Sequence, residues 1–431
     1  MNSRPIRHPL FRWLPAVISA TALMSASGCI PSRLRTGALF VTDRVRPPVV
    51  RVLLPTDNPH VAVRGEGRYV IRIAIDTAAE PLTFSTEGAL TIRRTGHWLE
   101  VFDAHKVALA RGAIGLTIHP EDPDQRLWLD GRPYYGCLVI GTANAKLLQI
   151  VNRLNLDRYL EGVLTPELGE RRDDEFEAVR AQAVASRTYA LKHLGQYGVA
   201  PYDLRADVAD QIYVGASQPR AWVDSAVTTT QGEVITYAGH LIDAYYHSTC
   251  GGRTDAIEDI WTKPPRPYLV SVDDDTFCQW SKYTSWTEQF SGRVLLANLR
   301  SYRRQLATPA IGDFHRVDSI SLGTETPGGR RTTMTVVTPA GRWTIFSDKI
   351  RWALGRPSRP GTILPSSRFV LTLRRDKHGK VVGATANGSG YGHGVGICQC
   401  GMIGRARAGE SYVSILTTYY PGVLIERVYG L

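Results

Sequence analysis

The stretch that decides the reading runs LDRYLEGVLTPELGERRDDEFEAVRAQAVASRTYAL, residues 156–191. Its second half carries the strongest helical signal in the chain. Phe176, Val179, Ala183, Val184, Tyr189 and Ala190 form an apolar stripe between Glu175 and Leu194, and Asp173 and Asp174 suit a helix N-terminus. Its first half holds one carboxylate in an apolar setting, since Glu167 is the only acid between Gly162 and Leu168. The β-like pattern upstream and the helical stripe downstream place Glu167 at a strand-to-helix junction.

Upstream, Val49–Leu54, Tyr69–Ile75, Leu90–Ile92, Trp128-Leu129, Gly136–Ile140 and Leu147–Val151 are short β-branched runs between Gly, Pro and Asp breaks. Downstream, a second helix is expected at Pro219–Thr229. Strands return at Val234–Tyr237 and Ile242–Tyr246. Residues 316–347 read as hairpins with turns at Pro327-Gly328-Gly329 and Pro339-Ala340-Gly341, and a last helix runs from Gly396 through Ala408. Strands and helices are segregated rather than alternating, which makes the class α+β and β-rich, with a long central helix and a strand-rich C-terminal portion completing a cleft.

The N-terminus carries Arg4, Arg7 and Arg12 with no acid, then an apolar run from Trp13 to Met24, then Ser25-Ala26-Ser27-Gly28-Cys29. That order is a secretory signal, and the apolar run is too short for an ordinary membrane span. A Cys directly after small residues resembles a bacterial lipoprotein signal, with Cys29 as the lipidated residue. Ordinary cleavage is the rival reading, because Ala26 stands where a large apolar residue is usual. The expected organisation is a signal at 1–28, an Arg- and Pro-rich tether at 29–48 and one large unit at 49–431, divided as 49–155, 156–265 and 266–431. The protein is expected outside the cytoplasm, anchored to a membrane and facing the periplasm or wall.

Among 431 residues, Lys plus Arg number 51 and Asp plus Glu 40, so 51 − 40 gives +11. A chain 43% hydrophobic and 21% charged is globular, which excludes disordered and collagen-like classes. The basic excess suits an anionic partner. For an exported chain with dispersed Arg and no recognisable module, nucleic acid is not the expected one. The sequence has no GxxxxGK[ST], HExxH or GxSxG motif, which argues against a P-loop, a zinc peptidase of that type and a serine nucleophile elbow.

Two further segments carry chemistry-bearing side chains: His247-Ser248-Thr249-Cys250-Gly251-Gly252-Arg253-Thr254, and Gly388 through Met402. With the opening stretch, and with ADVADQIYVG, KIRWALG, LPSSRF and GHGVGICQCGMIGRARAGESYVSILTTYYPG following in order, the chain resembles the SpoIID family of stage II sporulation protein D and amidase-enhancer-like proteins. The resemblance spans about Val49 to Leu431. It implies a cell-wall protein acting on peptidoglycan glycan strands, whose sporulation members are lytic transglycosylases preferring glycan stripped of stem peptides. Glu167 aligns with their catalytic Glu. The rival expectation on the same scaffold is a non-catalytic peptidoglycan-binding protein or an activator of a cell-wall amidase, since amidase-enhancer relatives share the motifs.

The residues support the same chemistry. Glycosidic cleavage needs an acid held protonated near neutral pH, and burial of a Glu does this. One Glu suffices when the nucleophile is the substrate's own hydroxyl. The competing reading of Glu167 is a capping or salt-bridged carboxylate. His393, in a loop with five Gly between Gly388 and Gly396, either contacts sugar and orients Glu167 or stabilises its own turn. Gln399 matches the family's Gln, while Cys400 stands where the family has Trp, which removes an aromatic platform there. Tyr391, His247, Ser248, Gln182, Arg187 and Tyr189 are further substrate-binding candidates, with a structural role as the alternative for His247 and Ser248 and a structural ion pair for Arg187. Asp207, Asp210, Gln211 and Tyr213 belong to the next motif and are kept as cleft candidates.

With Cys29 lipidated, Cys137, Cys250, Cys278, Cys398 and Cys400 remain, an odd number. Cys250 and Cys278 could pair. Alternatively His247, Cys250, Cys278 and one of Cys398 or Cys400 could gather a zinc ion. Some family members hold zinc through a His and two Cys just before the next motif. Here residues 202–211 contain neither, so that site does not carry over, and no cofactor is otherwise expected.

Overall fold

The computed structural model describes residues 46–430, apart from 77, 143–146, 217–219 and 307–311. The expected signal, Cys29 and most of the expected tether lie outside the described residues. Among the described residues no helix is long and apolar enough to cross a membrane.

The N-terminal strands alternate buried and less buried positions, as a half-buried sheet requires. Val50, Val52 and Leu54 point inward from the strand Val49–Leu54. That strand pairs antiparallel with Leu148–Asn155, which pairs with Cys137–Thr142. Among the described residues twelve strands join into one sheet. It branches at the thirteen-residue strand Ala108–Pro120, whose C-terminal part lies between Tyr69–Ile75 and Cys137–Thr142 and whose N-terminal part pairs with Trp98–Phe102. One parallel rung, Val52 to Leu204, makes the sheet mixed.

Asn155 ends the sheet and starts a helix. Its side chain accepts a hydrogen bond from Arg158 N–H and caps α1, Leu156–Leu168. Leu156, Tyr159, Leu160, Val163, Leu164 and Leu168 are its buried face, spaced at helical period. The chain then enters α2, Phe176–Lys192, through one 3₁₀ turn, Asp173–Glu175. Helix α2 is enclosed on nearly all sides, from Ala178 to Leu191. Its small residues Ala178, Ala181, Ala183 and Ala185 permit close approach by α1, by α3 (Ala221–Thr229) and by the strand Glu233–Tyr237. The fold is α+β and β-rich around one long central helix.

Among the described residues two apolar cores are present. The first holds the large sheet, α1, α2, α3 and the C-terminal helices. The second gathers Trp286, Phe290, Leu295, Leu299, Met334, Ile350, Phe369 and Ala384 with their neighbours. It is built on two three-stranded sheets, Trp286–Ser291 with Phe369–Arg375 and Val381–Gly388, and Ser319–Leu322 with Thr333–Thr338 and Gly341–Phe346. The hairpin turn at Pro339-Ala340 falls where the sequence places it. The expected strand Ile242–Tyr246 is realised only at its end, where Tyr246–His247 pairs in parallel with Ile397–Cys398. That rung returns the chain from the second core to the first. A wholly buried ion pair, Arg330 Nη1 to Asp255 Oδ2 at 2.7 Å, pins the two regions together.

Candidate functional site

Glu167 sits in the last turn of α1, followed by the cap residue Gly169. The strand-to-helix placement expected from sequence is therefore corrected: the preceding segment is itself a helix, because Asn155 caps it and its apolar residues follow helical spacing. Pro166 lies inside that helix and has no N–H for the Gly162 carbonyl. Val214 N–H takes the vacant place, donating to Gly162 O at 3.3 Å. The proline thus opens a docking point for the segment 211–215 beside Glu167.

Three neutral donors surround the carboxylate. Ile212 N–H and the Tyr246 hydroxyl donate to Oε1 at 3.1 and 3.3 Å, and Gln399 Nε2 donates to Oε2 at 3.3 Å. Burial pushes the Glu167 carboxyl above its ordinary value, and the three hydrogen bonds oppose the shift without reversing it. The side chain keeps partial solvent access even though protein atoms crowd it. Its position at a helix C-terminus, the negative end of the dipole, acts in the same direction as burial.

The donors belong to a longer relay. Gln211 Nε2 donates to the Tyr246 oxygen at 3.1 Å, and Tyr159 donates to Gln211 Oε1 at 3.0 Å. On the other side Gln399 Nε2 lies 3.4 Å from Gln182 Oε1, and Gln182 donates to Ser186 Oγ at 3.0 Å. Gln399, expected from sequence as a substrate-binding candidate, thus bonds Glu167 itself, and Gln182, another such candidate, is joined to it through Gln399. Tyr246 and Tyr159 were missed. Tyr246 precedes a singled-out motif by one residue, and Tyr159 stands one helical face from Glu167.

Other candidates stand elsewhere. Both ring nitrogens of His393 are engaged, Nδ1 accepting from Val395 N–H at 3.1 Å and Nε2 lying 3.0 Å from the Tyr246 carbonyl. Burial, with Arg351 and Arg330 adding to it and Asp348 opposing, pushes His393 down to about 4. It braces the backbone of Tyr246 and does not touch Glu167. The glycine loop around it closes on protein: a Cβ on Gly396, at φ 69°, would lie 2.1 Å from the Tyr245 carbonyl. His247 is buried, with Nδ1 3.3 Å from Val395 O. Ser248 Oγ meets Thr249 Oγ1 at 3.3 Å, and the Tyr391 ring packs on Tyr283 with centroids 4.3 Å apart.

Arg187 is fully enclosed. It bonds Tyr429 Oη, Asp157 Oδ1 and the carbonyls of Val227 and Glu233, so it makes the structural ion pair and does not reach the carboxylate. Tyr189 donates to Asp210 Oδ1 at 3.1 Å, and Asp210 is saturated further by Tyr197, Gln196 and Arg205 N–H. Asp207 pairs with Arg205, and Tyr213 donates to Asn152 Oδ1 at 2.6 Å. At Cys400, where the sequence lacks an aromatic, Trp280 donates to the Cys400 carbonyl at 3.0 Å and exposes its indole.

The cysteines also differ from expectation. Cys250, Cys278 and Cys398 converge with Asp274. His247 is directed to Val395, and Cys400 accepts from Thr249 Oγ1 at 3.4 Å, so neither joins them. Asp274 stands four residues before Cys278 as the middle one of three consecutive acids, and nothing in the sequence marks it out from Asp273 or Asp275.

Compared with known proteins, residues 144–237 match the family model described as Stage II sporulation protein, SpoIID. Residues 278–396 match a domain of unknown function, DUF8618, and this range contains the second apolar core. The chain is 28% identical over 367 residues to an uncharacterised protein of Brachyspira hyodysenteriae, covering 82% of this chain and 92% of that protein. It is 29% identical to the amidase enhancer of Bacillus subtilis, covering 72% of this chain and 46% of that protein, so it spans about half of that relative's length. It is 28% identical to stage II sporulation protein D of Bacillus subtilis, covering 67% of this chain and 78% of that protein.

Proposed function

For a chain that carries a SpoIID-family domain, we propose a cell-wall function in which peptidoglycan glycan strands are cleaved by a lytic transglycosylase mechanism, with Glu167 as the single acid and base. The observation that carries this reading is a carboxyl raised by burial at the meeting point of three separate segments. Protonated Glu167 gives its proton to the glycosidic oxygen as the bond to the muramic acid anomeric carbon breaks. The muramic acid's own 6-hydroxyl then attacks that carbon and returns its proton to the Glu167 carboxylate. No water is consumed and an anhydro-muramyl end is left. Tyr246, Ile212 N–H and Gln399 hold the carboxylate in place and stabilise its ionised phase.

The similarity to an amidase enhancer favours a second reading, a wall-binding activator of an amidase on the same scaffold. Purified protein and Glu167→Gln are incubated with peptide-free glycan strands, and products are read by mass spectrometry. Anhydro-muramyl products from the wild type alone support cleavage. Intact wall pelleting with no product overturns it in favour of the activator. Export and a lipid anchor at Cys29 belong to the same proposal, and a Cys29→Ser chain released from the membrane fraction would support them.

A further inference from the structure

The three thiols and the carboxylate noted above form a closed four-donor cluster. The ligand atoms of Cys250, Asp274, Cys278 and Cys398 all lie within 4.8 Å of one another, and all four residues are buried. Cys250 Sγ is 3.2 Å from Asp274 Oδ2 and 3.5 Å from Cys278 Sγ. Four converging groups of this kind in a dry interior are costly unless something shared satisfies them.

The surroundings are arranged as a metal's outer shell would be. The outer oxygen of Asp274, Oδ1, is held by Tyr419 Oη at 2.5 Å and faces Arg405 Nε at 3.5 Å, which turns Oδ2 toward the sulfurs. Backbone N–H groups point at the sulfurs: Cys250 N and Gly401 N at Cys398 Sγ, 3.2 and 3.3 Å, and Gly252 N at Cys250 Sγ, 3.3 Å. Such bonds stabilise thiolates. The buried Arg330 guanidinium, paired with Asp255, bonds the Cys250 carbonyl at 3.1 Å and fixes that residue's backbone. A Cβ at Gly401 would lie 2.0 Å from Asp274 Oδ2, so only glycine leaves the carboxylate its place.

We propose that Cys250, Cys278, Cys398 and Asp274 bind one zinc ion as a closed, structural, four-coordinate site. Three soft thiolates with one carboxylate, all on buried residues, suit Zn²⁺ over Mg²⁺ or Ca²⁺. Binding releases the thiol protons, and the ion takes all four donors. A Cys250–Cys278 disulfide, the competing arrangement, would use two of the four groups and give the Cys398 thiol and the Asp274 carboxylate no shared partner. The ion would tie the segment 250–278 to the start of the helix Gln399–Arg407, one residue before the Gln399 side chain that meets Glu167.

The test uses the full chain purified without chelators. Elemental analysis is expected to give one zinc per chain. Removal of zinc followed by Co²⁺ addition is expected to give the intense visible bands of a tetrahedral thiolate site. Cys398→Ser and Cys278→Ser should lose both signals, whereas Cys400→Ser and Cys137→Ser should keep them. Asp274→Asn preserves side-chain volume and should weaken zinc in chelator competition even where the cysteine variants fail to fold. A reduced chain that takes up neither Zn²⁺ nor Co²⁺ overturns the proposal. So does a metal-free chain with a mapped Cys250–Cys278 disulfide, or a Co²⁺ spectrum unchanged by Cys278→Ser and Asp274→Asn.

Discussion

Gln399 and Glu167 are 232 residues apart in the chain, and their side chains meet at 3.3 Å. The contact depends on the short parallel pairing of Tyr246–His247 with Ile397–Cys398, which brings Tyr246 from one strand and Gln399 from the helix that follows the other to the same carboxylate. Helix α1 brings Glu167, and the Pro166 gap brings the segment carrying Ile212. A group assembled from three distant segments is held by tertiary structure alone, so its properties respond to changes far from it in sequence.

Glu167→Gln is expected to lower glycan cleavage about 10²- to 10⁴-fold, the usual range for a lost general acid. Its effect on stability should have the opposite sign. A carboxyl whose folded value is raised above its unfolded one binds its proton more tightly when folded, so stability falls as pH rises through that window. The amide removes this penalty. Thermal unfolding should show Glu167→Gln more stable than wild type at pH 8, and the gain should vanish below the ordinary carboxylate value of 4.5. A destabilised variant at pH 8 would contradict a raised Glu167.

Tyr246→Phe removes one of the donors that favour ionised Glu167. The carboxyl should rise further, and the alkaline limb of the pH profile for kcat/KM should move to higher pH. Cleavage requires the protonated acid, so the rate loss at neutral pH should be smaller than for Glu167→Gln. A limb that moves down or stays fixed would remove Tyr246 from the site.

The sequence carried much of this in its periodicities. The stripe in α2 and the β-branched run Val49–Leu54 are local signals, and both elements form where they are written. Helix α1 was equally legible, with Asn155 as cap and Leu156, Tyr159, Leu160 and Val163 at helical spacing. The proline beside Glu167 masked it, because Pro166 argues locally against a helix that Val214 N–H repairs from a distance. His393 shows the opposite error. Glycine-rich surroundings suggested a ligand cradle, yet the open backbone positions from Gly390 to Gly396 are filled chiefly by residues 245–250 and Arg330, and Gly388 by Trp286 and Arg368, which no local pattern announces. Asp274 joined the cysteines for the same reason, through contacts formed only by folding.

His393 should govern acid sensitivity. Its folded value of about 4 lies below the ordinary 6.5, so the unfolded chain binds the proton first as pH falls. Stability contributed by neutral His393 is present above 6.5 and is lost progressively toward 4. His247, also lowered by burial, packs beside it with ring centroids 5.4 Å apart and adds to the same slope. Urea unfolding of His393→Gln should show a shallower loss of stability between pH 7 and pH 4.5 than the wild type. An unchanged slope would mean that His393 is protonated equally in both states.

Arg187 supplies the sharpest separation between support and chemistry. Its guanidinium is wholly buried and bonded to Asp157, Tyr429 and two carbonyls, none of them at Glu167. Arg187→Met keeps much of the volume but leaves the Asp157 carboxylate without its cation, and breaking such a pair costs about 3–5 kcal/mol. The variant should unfold at markedly lower urea concentration. At a temperature where it is still folded, its cleavage rate per folded molecule should stay within a few-fold of wild type. A variant of unchanged stability with a rate as low as Glu167→Gln would instead place Arg187 among the residues that touch the glycan.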